Sequence, residues 1–269
     1  MQLFTPVEVV TNYIETGVRK CAMPLKRLFP LAILAGMLIA IAGAATNTAA
    51  FGLEGAHLVR LVCGLLFPFG LAMVVLLGAE LFTGNTLIFL SVMDRKVTAG
   101  QMVRNWVLVY VGNLVGALIV GAGCAFFGQL NQGDGALAVY TIRLAATKCA
   151  ITFPNGVVSG FFCNFLVTLG VMLSLGAKDV TGRILGAFLP VCFFVLCGFE
   201  HSIANMYYIS AGIFAVLVEK YRTMAQAAGV DVTALTWVGF VFGNLLPVTI
   251  GNILGGLAVS GILYRGHKA

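Results

Sequence analysis

Long apolar runs, each bounded by charged or turn-forming residues, dominate the chain. Six stand out, at roughly 28–50, 60–93, 104–128, 154–177, 184–218 and 233–264. A membrane-crossing helix needs about 20 such residues, so the pattern predicts six spanning helices. The second and fifth runs are too long for one straight crossing. Each has a polar insertion near its middle: Gly78-Ala79-Glu80-Leu81-Phe82-Thr83-Gly84-Asn85 in the second, Gly198-Phe199-Glu200-His201-Ser202-Ile203-Ala204-Asn205 in the fifth. Gly, Glu and Asn recur at the same spacing, 120 residues apart. Few polar residues separate the two parts of either run, so helices two and five are expected to be broken there, with no extra crossing.

The matching extends beyond the insertions. The third run carries Gly112-Asn113 and Gly116, the sixth Gly251-Asn252 and Gly255. The first has Gly36 and Gly43, and the fourth has Gly160, Asn164 and Gly170. The halves, about 28–130 and 150–264, each make three crossings, an odd number. The second half then enters with opposite orientation, an inverted 3+3 repeat of the kind that builds transporters. Small residues let membrane helices approach closely. The amides of Asn113 and Asn252 suit either that packing or the backbone groups freed at the breaks.

Composition agrees with an all-α membrane protein. Sixty per cent of residues are hydrophobic and ten per cent charged, against roughly 25% charged in soluble domains; mean hydropathy is +1.00. Eleven cations lie on the side of the termini: Arg19, Lys20, Lys26, Arg27, Arg95, Lys96, Arg104, Lys178, Arg183, Arg265 and Lys268. Five lie opposite: Arg60, Arg143, Lys148, Lys220 and Arg222. The positive-inside rule therefore predicts cytoplasmic termini. The net charge of +6 reflects this flank bias and is no argument for nucleic acid. Residues 1–27 lack the apolar core of a signal peptide. Pro6, Val7, Val10, Ile14 and Val18 instead predict a cytoplasmic amphipathic helix, either an anchor below the bundle or a mobile gate. Residues 28–264 form the six-span domain, and 265–269 a cytoplasmic tail. The seven cysteines show neither metal-ligand spacing nor a disulfide framework.

A carboxylate inside a spanning segment is costly and marks a pathway or a bundle interior. Glu80 and Asn85 in the first insertion, and Glu200 and Asn205 in the second, can structure the loops; the glutamates are also candidates for a proton relay. Thr83 and Ser202 offer further partners. His201 is the only histidine within a run, with the side chain whose ordinary pKa lies nearest neutrality. It suits donation of a hydrogen bond to a passing anion, or protonation of a weak-acid anion. Lys148 sits before the fourth run, where a cation would gather anions at a mouth. Phe67, Leu71, Leu81, Phe82 and Phe194 surround the insertions and are candidates for constrictions that exclude hydrated ions. No metal-ligand cluster, nucleophile motif or cofactor fingerprint is present, so no enzyme and no cofactor is expected. A channel for water, glycerol or ammonia is the main rival.

Gly-Ala-Glu-Leu-Phe-Thr at 78–83, Gly-Phe-Glu-His-Ser-Ile-Ala-Asn-Met at 198–206, Asn164 in Cys-Asn-Phe-Leu-Val and the Pro-Val-Thr-Ile-Gly-Asn run at 247–252 together resemble the formate/nitrite transporter family. The resemblance implies a homopentamer of aquaporin-like protomers among the lipids of a bacterial inner (plasma) membrane. Each protomer would hold its own pore for small monovalent anions: formate, nitrite or hydrosulfide. It implies that Phe67, Leu71 and Leu81 line or flank one constriction, and that Leu71 and Phe194 form the cytoplasmic one. Thr83 and Asn164 would offer hydrogen bonds, His201 would be central, and Lys148 would attract the anion. Phe199 is similar to formate channels, whereas Gly84-Asn85 is more like nitrite or hydrosulfide members. Ser210 stands where formate channels tend to have Pro. Formate is the favoured substrate.

Overall fold

The computed structural model describes residues 3–268, which are almost wholly helical. A capping box between Thr5 and Glu8, with Pro6 in the first turn, starts α1 (Pro6–Ala22). Its hydrogen bonds to Thr5 hold the Glu8 carboxyl below the usual carboxylate range. The face formed by Val9, Val10, Tyr13, Ile14 and Gly17 is buried. The first apolar run is α2 (Leu25–Ala50). The second opens as α3 (Ala56–Leu66) and, after Phe67, continues as α4 (Pro68–Leu77). The chain then leaves helical geometry and re-enters it at α5 (Phe82–Asn85), a 3-10 turn and α6 (Phe89–Met93). The third run is α7 (Ala99–Phe126), started by a Thr98–Gln101 capping box.

Between the halves the chain folds into α8 (Ala136–Cys149), a helix that hydrophobicity does not announce. Then follow α9 (Phe153–Gly176), α10 (Val180–Cys197), a second interruption and α11 (Ser202–Leu217). The chain turns by 101° into the polar α12 (Glu219–Ala227). The sixth run is expected from residue 233. It becomes helical at Gly239–Leu245 as a π-helical stretch and continues as α13 (Leu246–His267). Among the described residues six helical segments are long and apolar enough to cross a membrane.

Glycine allows the two tightest helix pairs. A Cβ at Gly116 of α7 would strike the Ile33 carbonyl of α2, and one at Gly251 of α13 would strike the Val157 carbonyl of α9. With no hydrophobic drive between helices in lipid, such close backbone approach supplies the dispersion contact. Against this frame α1 is docked rather than free. The Ser91 hydroxyl donates to Ile14 O at 2.8 Å, the Tyr13 hydroxyl to Gly84 O at 2.9 Å, and Lys96 pairs with Glu15.

Candidate functional site

Both interruptions are built alike. Gly78 and Gly198 end α4 and α10 in the left-handed region, with φ of 65° and 72°. Ala79 N–H returns to Val74 O, and Phe199 N–H to Phe194 O, each at 3.0 Å. These are Schellman-type caps, which satisfy the last carbonyls of each helix. Three residues later the backbone is extended at Leu81 (φ −108°, ψ 124°) and at His201 (φ −107°, ψ 115°), and a new helix begins.

One asparagine holds each loop. Asn113 Oδ1 accepts from Phe82 N–H at 2.9 Å, while its Nδ2 donates to Ala32 O and Glu80 O at 2.7 and 2.9 Å. Asn252 Oδ1 accepts from Ser202 N–H at 2.9 Å, while its Nδ2 donates to Gly160 O and Glu200 O at 2.8 and 3.1 Å. Each amide thus satisfies two backbone groups that the interruption frees, one N–H and one carbonyl, and ties the loop to a carbonyl of a neighbouring helix, Ala32 O of α2 or Gly160 O of α9.

The carboxylates sit in matching networks. Glu80 accepts from Lys20 Nζ at 2.8 Å and from Asn85 Nδ2 at 2.7 Å. Asn85 also donates to Asn105 Oδ1, and Asn105 Nδ2 to Lys20 O. Glu200 accepts from Lys148 Nζ at 2.9 Å on both oxygens and from Asn205 Nδ2 at 2.6 Å. Asn205 donates to Asn244 Oδ1, and Asn244 Nδ2 to Lys148 O. Lys148 is therefore half of an ion pair and not a free cation. A partly buried pair of this kind depends on its supporting hydrogen bonds.

Three cavities follow one another through the protein. One of about 150 Å³ is lined by Tyr13, Lys20, Leu71 and Leu81 among others. One of about 550 Å³, on the side of Lys148 and Glu200, is lined also by Arg60, Phe67, Phe194 and His201. Between them is a pinch of only about 10 Å³, bounded by Phe67, Leu71, Leu81, Phe194, His201, Ile39, Val167 and Val191. Leu71 and Leu81 face both the small cavity and the pinch; Phe67, Phe194 and His201 face both the large cavity and the pinch. The Phe67 and Phe194 rings meet edge to face at 5.9 Å, and Phe194 stacks on His201 at 5.9 Å.

His201 is the polar group of the pinch and is 3% exposed. Its Nδ1 accepts from Ala204 N–H at 3.1 Å, and its Nε2 lies 2.9 Å from Thr83 Oγ1. A backbone N–H can only donate, so Nδ1 carries the lone pair and Nε2 carries the proton. The imidazole is neutral and donates toward Thr83.

Two expectations change. Phe82, a constriction candidate, lies away from the pinch, its ring edge-on to Trp106 at 6.2 Å and Tyr110 at 4.9 Å. Leu81 is the extended residue before α5 and takes the pinch, whereas Phe82 is the first residue of α5 and turns its ring to the α7 interface. Phe194, assigned with Leu71 to the cytoplasmic constriction, instead stands beside Phe67 on the Lys148 side. It lies one turn before Gly198, at the end of α10 that opens toward Glu200. Asn164 is fully buried, with its Nδ2 on Thr86 Oγ1 and Asn252 O at 3.0 and 2.6 Å. Lys20, Asn105 and Asn244 complete the networks and escaped sequence reasoning. The eight-residue spacing of Asn105–Asn113 and Asn244–Asn252 was a usable signal for the two asparagines. No group of side chains suited to a metal ion occurs among the described residues.

The formate/nitrite transporter family model matches residues 7–266. The formate channel FocA of Haemophilus influenzae is 37% identical, over 97% of this chain and 93% of its own length. The formate channel FocA of Escherichia coli K12 is 35% identical, over 97% and 93%. A solved pentameric formate channel with formate bound superposes with a TM-score of 0.80 at 33% identity, covering 90% of this chain and 96% of that one.

Proposed function

Because the chain belongs to the formate/nitrite transporter family, we propose that this multi-pass membrane protein conducts small monovalent anions, formate first, through a pore in each protomer of a homopentamer. The observation that carries this reading is the series of two cavities joined by a pinch of about 10 Å³ whose polar group is His201. The similarity to a pentameric formate channel supports both substrate and assembly. The matched asparagine and glutamate networks support an inverted repeat with helices two and five broken at the loops. The excess of cations beside the termini supports cytoplasmic termini in a bacterial inner membrane.

The vestibules shed water from the anion, and the pinch excludes anything hydrated. Losing that water is costly for an ion unless fixed dipoles replace it. Leu81 and His201 precede the first turns of α5 and α11, so the helix N-termini point their positive ends at the pinch. His201 Nε2–H turns from Thr83 to the anion as it passes. His201 acts as a neutral donor and stores no proton, because its Nδ1 is occupied by Ala204 N–H. Lys148 and Lys20 orient the vestibule dipoles at the two mouths.

The test is a stopped-flow panel on purified protein in proteoliposomes: formate, nitrite, hydrosulfide and glycerol. Formate flux well above that of protein-free vesicles, with glycerol excluded, is the expected result. Glycerol flux without formate flux would establish the neutral-solute channel instead. Nitrite or hydrosulfide exceeding formate would move the assignment within the family, in the direction to which Gly84-Asn85 points.

A further inference from the structure

The rings that form the large-cavity side of the pinch do not end at Phe67. Tyr208 of α11 stacks on Phe67 at 6.5 Å with an interplanar angle of 26°. An aromatic row therefore runs from Tyr208 through Phe67 and Phe194 to His201. Lys148 Nζ lies 5.4 Å from the Tyr208 ring centroid, within the range of a cation–π contact. One tyrosine thus touches both the pinch and the ion pair at its mouth.

Tyr208 is itself strapped to α2. Its hydroxyl lies 2.9 Å from Thr46 Oγ1. Thr46 Oγ1 donates its single proton to Gly43 O at 2.8 Å, so in the strap Tyr208 is the donor and Thr46 the acceptor. The phenol proton is committed and does not meet an entering anion. The hydroxyl fixes the ring, and the ring does the work. The room for it is made by Gly43, where a Cβ would come within 2.7 Å of the Tyr207 ring and 3.3 Å of the Tyr208 ring.

We propose that Tyr208 is a specificity-determining positioning residue: strapped to α2 through Thr46, it braces Phe67 against Phe194 and so sets the width of the pinch. The inference rests on the anion-channel reading above. It predicts that the brace decides between formate and acetate, which differ by one methyl group. A tight apolar site discriminates one such group by roughly 10–200-fold.

The test measures formate and acetate permeability in proteoliposomes for wild type, Tyr208→Leu, Tyr208→Phe, Thr46→Val and the Tyr208→Phe/Thr46→Val double variant, each checked for intact oligomer by size-exclusion chromatography. Removing the ring in Tyr208→Leu lowers the formate-over-acetate ratio by roughly tenfold. Removing only the strap lowers it by roughly threefold, a typical hydrogen bond's worth. The double variant does no more than either single, since both cut one bond. Unchanged ratios in Tyr208→Phe and Thr46→Val overturn the proposal even if Tyr208→Leu fails to assemble. Variants that lose formate and acetate flux in equal proportion also overturn it, because a merely structural role would do that. A selective wild type with equally selective variants contradicts this inference alone; a wild type with no anion flux contradicts the channel reading and this inference with it.

Discussion

At the scale of single residues, the cation expected to draw anions to the mouth has its charge already answered. Lys148 holds both oxygens of Glu200 at 2.9 Å, and both side chains are about one-seventh exposed. The pair is neutral as a unit, so its removal by halves matters more than its presence. Lys148→Gln leaves Glu200 as a lone negative charge at the entrance, which repels anions and is expensive to bury. Formate uptake at low substrate should fall by roughly tenfold, within the range that local potential exerts on encounter. Adding Glu200→Gln removes the stranded charge and should recover most of that uptake. A double variant as impaired as Lys148→Gln would show that the ammonium group itself is required.

At the scale of elements, the loops are held by two devices of different strength. Gly198 supplies a backbone conformation, and an alanine there must adopt the left-handed region at about 1–2 kcal/mol and displace the Arg60 guanidinium beside it. Asn252 satisfies three backbone groups at once. Asn252→Leu leaves two of them, Ser202 N–H and Glu200 O, unpaired at about 1–3 kcal/mol each, while Gly160 O keeps its partner within α9. Thermal melting in detergent should therefore show a modest loss for Gly198→Ala and a much larger one, with aggregation, for Asn252→Leu. Equal losses would mean that the amide is not what holds the loop.

The same elements explain what could be read from the chain. Apolar runs mark the six long helical segments because lipid demands apolar surface all round. The Gly-Glu-Asn spacing marks the two loops because a left-handed cap, a carboxylate and its amide partner sit in one short stretch. Phe82 departs from expectation because composition does not fix where the extended stretch ends and α5 begins, and so which of Leu81 and Phe82 faces the pinch. Lys20 and α8 were missed for another reason. Lys20 reaches Glu80 from 60 residues away and Lys148 reaches Glu200 from 52, so their equivalence is spatial and leaves no common spacing.

At the scale of the whole molecule, two unequal vestibules, about 150 and 550 Å³, meet at one narrow, mostly apolar pinch. The halves supply Leu81 and His201 at corresponding places, so a single departure from likeness puts the only imidazole of the pinch on one side. In the proposed mechanism this imidazole works as a neutral donor. Formate flux in proteoliposomes from pH 5 to pH 8, for wild type and His201→Gln, tests it most directly. Glutamine keeps an N–H donor and does not titrate. Substantial flux in His201→Gln with the wild-type pH profile is the expected result. Loss of the pH dependence in His201→Gln would contradict it and make the histidine a proton carrier.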